Sequence, residues 1–307
     1  MMEKSQSILS VDNVRKNYGK FVALQNLTLD LGKGEHLLVL GPNGAGKTTL
    51  IKCIMDIISF KGDVRVCGIS VKGDSTRAKS FVGYVPQNYA FYETITVSEH
   101  AKLTARLKSV RDDEIEEKLR RVNLWQVRDR KVRALSDGMK QRLGIGLALI
   151  GDPPLLLLDE PTSNVDLRGQ VEFQTLLQGI LKQGKTLLTT THLTGLGELA
   201  TQVLILDSGK VVARGSPTEL LGKLSVNDTL FMRVKDGKVD EVVNLIRQLG
   251  MSEISSQGSW LTAVIPNETK LDAVKNLLVT SSSLRDLFIE RSRIESEYLK
   301  LLTISEN

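Results

Sequence analysis

The 307-residue sequence predicts an α/β protein with a parallel sheet at its core, a helical subdomain inserted into that core and a small α+β unit after it. Three observations carry this expectation. His36-Leu37-Leu38-Val39-Leu40 is followed by GPNGAGKT at 41–48 and then by the apolar Leu50-Ile51, which reads as strand, glycine-rich turn and helix. Leu155-Leu156-Leu157-Leu158 is apolar without alternation, as befits a strand buried on both faces of a parallel sheet, and it ends on Asp159-Glu160. After Gly215-Ser216-Pro217 the pattern changes to short alternating strands and helices, so domains are expected at 1–222 and 223–307.

The elements follow in order. Ile8–Val14 and Leu27–Leu31 alternate apolar and polar residues around Tyr18-Gly19-Lys20, which suggests an antiparallel pair ahead of the glycine-rich turn. Leu50–Ile58 fits a helix, while Val64–Ile69 and Val82–Val85 fit short strands punctuated by Gly62, Gly68 and Gly83. Thr96 with Glu99 has capping-box spacing and opens a helical stretch to about Trp125. A further helix at Leu143–Ile150 ends at Gly151-Asp152-Pro153, so the inserted subdomain spans about 94–150. A helix at Val171–Leu181 and strands at Thr186–Thr191 and Val203–Leu206 complete the core. In the last unit, strands at Leu230–Val234, Ser252–Ser255, Trp260–Ile265 and Leu287–Glu290 alternate with helices at Val239–Leu249 and Leu271–Leu278, a ferredoxin-like βαββαβ order with a terminal helix at Arg293–Leu302.

Composition narrows the function classes. With 41% hydrophobic and 25% charged residues the chain has the make-up of a soluble globular protein. The best apolar candidate, Leu143–Leu158, is broken by Asp152-Pro153-Pro154, short of the roughly 18 residues a membrane span needs. The opening MMEKSQSILS lacks the apolar stretch of a signal peptide, and Cys53 and Cys67 form no C-x-x-C pair, so a disulfide framework and a structural zinc are not expected. Lys102–Arg142 holds 13 Lys/Arg against 7 Asp/Glu, a surplus larger than the net +5 of the whole chain. Trp125 is the lone aromatic there and Asp112-Asp113-Glu114 interrupts the basic run, which favours a solvated helical face over a nucleic-acid surface.

Residues 41–48 carry the first chemistry. Gly41, Gly46, Lys47 and Thr48 have the spacing G-x-x-x-x-G-K-[ST] of a phosphate-binding loop. Glycines let successive backbone N–H groups turn toward an anion, and the helix that follows adds its positive dipole end. Gly41, Pro42, Asn43, Gly44, Ala45, Gly46, Lys47, Thr48 and Thr49 are therefore the expected ATP-binding stretch, with Lys47 on the β- and γ-phosphates and the Thr48 hydroxyl on Mg²⁺. Asp159, at the end of a buried strand, suits Mg²⁺, and Glu160 can accept a proton from an attacking water. Apart from the loop, that acidic pair would read as a strand-end cap.

Leu135-Ser136-Asp137-Gly138-Met139-Lys140-Gln141 lies between these two motifs. Here the chain resembles the nucleotide-binding subunit of an ABC transporter, whose signature reads LSGGQ at this place; the resemblance covers roughly residues 8–221. It implies a P-loop NTPase fold with an antiparallel β subdomain and the inserted helical subdomain. It also implies that Ser136 and Gly138 donate to the γ-phosphate of ATP held by an opposite subunit, that Tyr18 stacks on adenine, and that Gln87 responds to Mg²⁺ and the lytic water. Asp166, in Ser163-Asn164-Val165-Asp166, matches a loop that crosses the dimer interface, and His192 matches a histidine that contacts the γ-phosphate. By residues alone, Ser136 is a helix cap, Tyr18 a turn tyrosine and His192 a strand-end residue.

The partners implied by the resemblance are a second copy, or a pseudo-symmetric counterpart, closing on ATP, and an integral membrane permease. The chain is then cytoplasmic and peripheral on the membrane, touching it through that partner. Ser136-Asp137-Gly138-Met139-Lys140-Gln141-Arg142 and the C-terminal unit resemble the ABC-2 exporter branch, and the overall pattern faintly resembles the ATPase of the copper-processing system that matures nitrous oxide reductase. Asp137 and Met139 depart from the signature and bear on turnover, so a degenerate binding-only subunit stands as an alternative. Another is an ABC-type ATPase acting on nucleic acid or ribosomes; one cassette, no long coiled coil and no zinc cysteines argue against a nucleic-acid partner.

Overall fold

The computed structural model describes residues 7–162, 167–191, 196–223, 228–235, 237–265, 270–280 and 283–290. Two compact units, 1–217 and 218–307, divide the chain.

In the first unit, β1 (Ser7–Tyr18) and β2 (Phe21–Gly32) form a hairpin over Gly19-Lys20, with Tyr18 opposite Phe21. β3 (His36–Leu40) is buried at every position and leads through the glycine-rich loop into α1 (Lys47–Ile54). The helix stops short of the expected Ile58 because Asp56 adopts φ 47, in the left-handed region that breaks a helix. β4 (Lys61–Val66) pairs with β1, and β5 (Ile69–Ser70) pairs with β4. The single strand expected at 64–69 is thus two, split by a turn with Cys67 at φ 48 and Gly68 at φ 77. Together these strands make an antiparallel sheet in the order β2-β1-β4-β5.

After α2 (Ser75–Ser80) and β6 (Val82–Val85) comes the helical insertion. α3 (Val97–Leu107) carries the expected capping box: Glu99 N donates to Thr96 Oγ1 at 3.1 Å and Thr96 N to Glu99 Oε2 at 2.7 Å. α4 (Glu114–Arg121) is a separate helix, since Ser109 at φ 55 ends the one before it. α5 (Asp137–Leu149) begins at the Ser136 cap, well ahead of Leu143, where the apolar periodicity starts. The added turns, Asp137-Gly138-Met139-Lys140-Gln141-Arg142, are mostly polar and show no apolar period; farther along, Gly144 packs against the ring of Tyr89, and a Cβ on Gly146 would lie 3.0 Å from Val122.

The core closes with β7 (Leu155–Asp159), α6 (Leu167–Lys182), β8 (Thr186–Thr191), β9 (Gln202–Asp207) and β10 (Lys210–Gly215). The six-stranded sheet runs β10-β9-β3-β8-β7-β6, parallel except for β10. β8 lies between β3 and β7, so the residues just past β3 and those ending β7 and β8 gather at one sheet edge, where ligands of parallel α/β sheets bind.

α7 (Pro217–Lys223) begins at the unit boundary, and the expected break after residue 222 falls inside it. In the second unit, β11 (Asp228–Val234), α8 (Val239–Gln248), β12 (Ser252–Gln257), β13 (Trp260–Ile265), α9 (Lys270–Thr280) and β14 (Leu284–Glu290) build an antiparallel sheet in the order β12-β13-β11-β14. Leu230, Met232, Leu261 and Ala263 pack on Val242, Ile246 and Leu277 of the helices. On the other sheet face Phe231 stacks on Phe288 at 4.7 Å and Trp260 meets Phe288 edge-on at 6.1 Å. The helix expected at 293–302 lies outside the described residues. Among the described residues no helix is long and apolar enough to cross a membrane.

His36 ties the sheet to its surroundings and gives it a pH dependence. Its Nδ1–H donates to Leu199 O at 3.1 Å, so Nε2 accepts from the Thr189 hydroxyl at 3.0 Å and the ring is neutral. Burial holds the imidazole down at about 4, although the Leu199 carbonyl favours the charged form. Between about 6.5 and about 4 the unfolded chain takes up a proton that the folded one refuses, so stability falls as pH drops through that window. The loss should reach roughly 3 kcal/mol. Urea midpoints followed from pH 7 to pH 4 should show it, and His36→Gln should have a flatter acid limb; equal limbs would remove His36 from the account.

Candidate nucleotide site

The glycine-rich loop is built around close approaches. A side chain on Gly41 would strike the Leu206 carbonyl, and one on Gly46, at φ 108, would strike the Ala23 carbonyl. Gly46 also caps α1 without a side chain, so the first backbone N–H groups of the helix have no side-chain acceptor at that cap and can face an anion. Ala45 N donates to Pro42 O at 3.2 Å and closes the loop on itself. Lys47 reaches back across it, its Nζ donating to Gly41 O at 2.7 Å and Pro42 O at 3.1 Å.

The same ammonium pairs with Glu160 Oε1 at 3.0 Å, with Lys47 6% and Glu160 5% exposed. The chain turns out of β7 at Glu160 through φ 48, a conformation a non-glycine residue adopts at a cost of about 1–3 kcal/mol. Asp159 is 1% exposed, and its Oδ1 accepts from Thr190 Oγ1 at 2.7 Å and Thr48 Oγ1 at 3.1 Å. Burial raises the Asp159 carboxyl above the ordinary carboxylate range and the nearby Glu160 pushes the same way, while the two hydroxyls and Lys47 work against them. Thr190 serves both acids, because its Oγ1 also accepts from Glu160 N at 3.0 Å. The Asp159 carboxylate with the Thr48 hydroxyl is a hard oxygen pair suited to Mg²⁺.

A cleft of about 280 Å³ opens over this cluster. Tyr18, Phe21 and Ala23 form one wall; Pro42, Asn43, Gly44, Gly46, Lys47, Thr48 and Thr49 form the floor; Gln87 and Glu160 close the far side. Tyr18 is 47% exposed and Phe21 59%, two aromatics open to a ligand. Of the site residues expected from sequence, Tyr18, the loop, Gln87 and Glu160 therefore meet in one cleft, with Asp159 bonded to it through Thr48. Ser136 and Gly138 do not line it. Ser136 instead caps α5, accepting from Met139 N at 3.3 Å, and is exposed; Gly138 is half-buried, and a Cβ on it would meet nothing within 4 Å. Asp137 lines a neighbouring cleft of about 290 Å³ with Gln87 and Glu160, while Gln141 Nε2 of the same helix donates to Pro161 O. Asp166 and His192 lie outside the described residues.

Phe21 and Thr190 were not anticipated. Thr190 reads as an ordinary β-branched strand residue, and its sequence carries no signal of the hydroxyl's two partners. Phe21 could have been found, since it mirrors Tyr18 across a two-residue turn.

A profile described as ABC transporter matches residues 24–163. The Nod factor export ATP-binding protein I of Ralstonia nicotianae is 35% identical over 223 residues, which is 71% of this chain and 70% of that protein. The linearmycin resistance ATP-binding protein LnrL of Bacillus subtilis is 31% identical over 248 residues, 79% of each. The maltose/maltodextrin import ATP-binding protein MalK of Escherichia coli is 32% identical, covering 69% of this chain and 59% of MalK. Among solved structures, the dimeric post-hydrolysis state of the ATP-binding cassette MJ0796 bound to ADP and Pi is similar with a TM-score of 0.61 and 26% identity, covering 68% of this chain and 98% of that one.

Thr190 offers a direct check on the cluster. Thr190→Val keeps the shape and removes the hydroxyl, leaving Asp159 without its shortest hydrogen bond. Denaturant unfolding should show a loss of about 1–3 kcal/mol. An unchanged midpoint would mean that Thr48 alone satisfies the carboxylate.

Proposed function

Because the chain belongs to the ABC transporter family of ATP-binding cassettes, which hydrolyse ATP, we propose that it is the motor subunit of an ABC-2-type exporter acting through a separately encoded membrane protein. The observation that carries the reading is the divided site. Lys47, Thr48, Asp159 and Glu160 converge at one cleft, whereas Ser136, exposed, and Gly138, half-buried, do not line it. A site so divided is completed by a second copy, whose Ser136 and Gly138 cover the γ-phosphate with the N-terminal end of α5. Asp166 belongs to the contact between copies and His192 to the γ-phosphate on this reading.

Each residue then has a task. Tyr18 stacks on the base, Lys47 and the N–H groups of the loop hold the phosphates, and Glu160 accepts the proton of the attacking water. Thr48, Asp159 and Gln87 would hold Mg²⁺, which when bound neutralises charge on the phosphate oxygens. Asp137 lines the cleft on its own copy's side with Gln87 and Glu160, which is compatible with turnover despite the altered signature.

The direction of transport is part of the proposal. Nod factor export and linearmycin resistance proteins support an exporter, while the maltose import protein is about equally similar. The sheet order β12-β13-β11-β14 with both helices on one face supports a ferredoxin-like C-terminal unit, as in the ABC-2 resemblance. Copper processing is the narrowest form of the reading and rests on overall sequence pattern; no cluster of three His, Cys, Asp or Glu that could hold a metal occurs among the described residues. The chain would sit on the cytoplasmic face of the membrane through its permease partner, with exposed Arg130 and Lys131 of the basic insertion turned toward that partner.

Three outcomes follow for purified protein. Glu160→Gln should bind ATP, hydrolyse it about 10²- to 10⁴-fold more slowly and accumulate as an ATP-bound dimer by size-exclusion chromatography; undiminished turnover would exclude Glu160 as the base. Lys47→Ala should lose ATP binding outright in equilibrium dialysis. Arg130→Glu with Lys131→Glu should leave the ATPase of the isolated chain intact and weaken co-purification of the membrane protein, and unchanged co-purification would relocate the docking face.

A further inference from the structure

Thr190 is fully buried beside Asp159 in the ladder of β7 and β8, outside every motif that marks the nucleotide site in sequence. A hydroxyl has one proton to give and lone pairs to receive with. Thr190 Oγ1 gives its proton to Asp159 Oδ1 at 2.7 Å and accepts from Glu160 N at 3.0 Å. The same N–H also donates to Thr190 O at 3.1 Å, so the backbone of Glu160 is held by both oxygens of one residue. The β-branched side chain has few rotamers, which keeps the hydroxyl aimed. Thr189, one residue earlier, points to the opposite face of the sheet and bonds His36 instead.

The bonds on Asp159 are one-sided. Thr190 and Thr48, the latter at 3.1 Å, both donate to Oδ1, and no hydrogen bond reaches Oδ2 among the described residues. Two donors on one oxygen stop the carboxylate from turning over about its Cβ–Cγ bond, so Oδ2 is the oxygen left for a cation. Without the Thr190 hydroxyl, Thr48 alone would hold that orientation, through the longer bond. Glu160 leaves β7 at φ 48, and its N–H would keep only the Thr190 carbonyl. Residues that orient a metal ligand from behind are typically worth about 10- to 100-fold in metal affinity or activity.

We propose that Thr190 is a positioning residue for ATP hydrolysis: its one hydroxyl reserves Asp159 Oδ2 for Mg²⁺ and locks the turn that carries Glu160, so metal ligand and general base are set together. The inference rests on the reading of Asp159 as a Mg²⁺ ligand and Glu160 as the base. It adds a residue that does not line the nucleotide cleft.

Calorimetric titration of the full chain with ATP, in EDTA and in Mg²⁺, separates this role from a purely structural one. Thr190→Val should bind ATP in EDTA as the wild type does and lose most of the affinity that Mg²⁺ adds. The Mg²⁺ concentration for half-maximal ATPase should rise about tenfold or more, and kcat should fall by a similar factor. Thr190→Ser keeps the hydroxyl and should restore both. Thr189→Val removes a neighbouring buried hydroxyl and should lower the melting temperature without moving either. Wild-type Mg²⁺ dependence and kcat in Thr190→Val, no recovery in Thr190→Ser, or the same losses in Thr189→Val would overturn the inference. Asp159→Asn and Glu160→Gln report on the underlying reading. Wild-type turnover in either, or no gain in ATP affinity from Mg²⁺ in the wild type, would remove that reading and the inference with it; loss of turnover in both with none in Thr190→Val would remove the inference alone.

Discussion

Lys47, Asp159 and Glu160 are each no more than 6% exposed, and three charged groups so deeply placed are tolerated only when each is matched. The ion pair of Lys47 with Glu160 and the two hydroxyl donors on Asp159 supply that match, and the order of the parallel strands brings the partners within reach. Removing Lys47 or Glu160 would leave the other buried charge without its ion partner, and removing either hydroxyl would halve the donors on Asp159. The cluster is therefore fixed as a group.

Sheet order is what makes the grouping possible. The loop follows β3, the acids end β7 and Thr190 lies near the end of β8, and β8 runs between the other two. Residues 47, 159 and 190, far apart in sequence, meet because three parallel strands finish side by side. The hairpin of β1 and β2 adds Tyr18 and Phe21 from a different sheet, so the cleft has one wall of backbone and charge and another of aromatic surface.

Much of this was legible in the sequence, for reasons that also explain the gaps. The glycine-rich loop is legible because Gly41 and Gly46 stand where a side chain would strike the Leu206 and Ala23 carbonyls. β7 is legible because burial on both faces removes alternation from Leu155–Leu158. β10 left no trace because it is a mostly exposed edge strand, with Val212 59% exposed, and nothing imposes a pattern on it. The first turns of α5, Asp137-Gly138-Met139-Lys140-Gln141-Arg142, carry no apolar periodicity because all but Met139 are polar or glycine, so only the Ser136 cap marked where the helix begins. Thr190 is a contact, and contacts between distant strands are not written into residue type. Asp166 and His192, expected from the resemblance, lie outside the described residues.

The ion pair between Lys47 and Glu160 has a kinetic meaning. On the proposed mechanism the lysine that receives a phosphate is also the one that holds the carboxylate assigned to water activation, so a phosphate oxygen arriving at Lys47 would compete directly with Glu160. There the base is handcuffed until its own substrate supplies the key. Such an interlock would keep an idle subunit from activating water, and would make readiness for hydrolysis a property that ATP confers on the cassette rather than one it finds waiting.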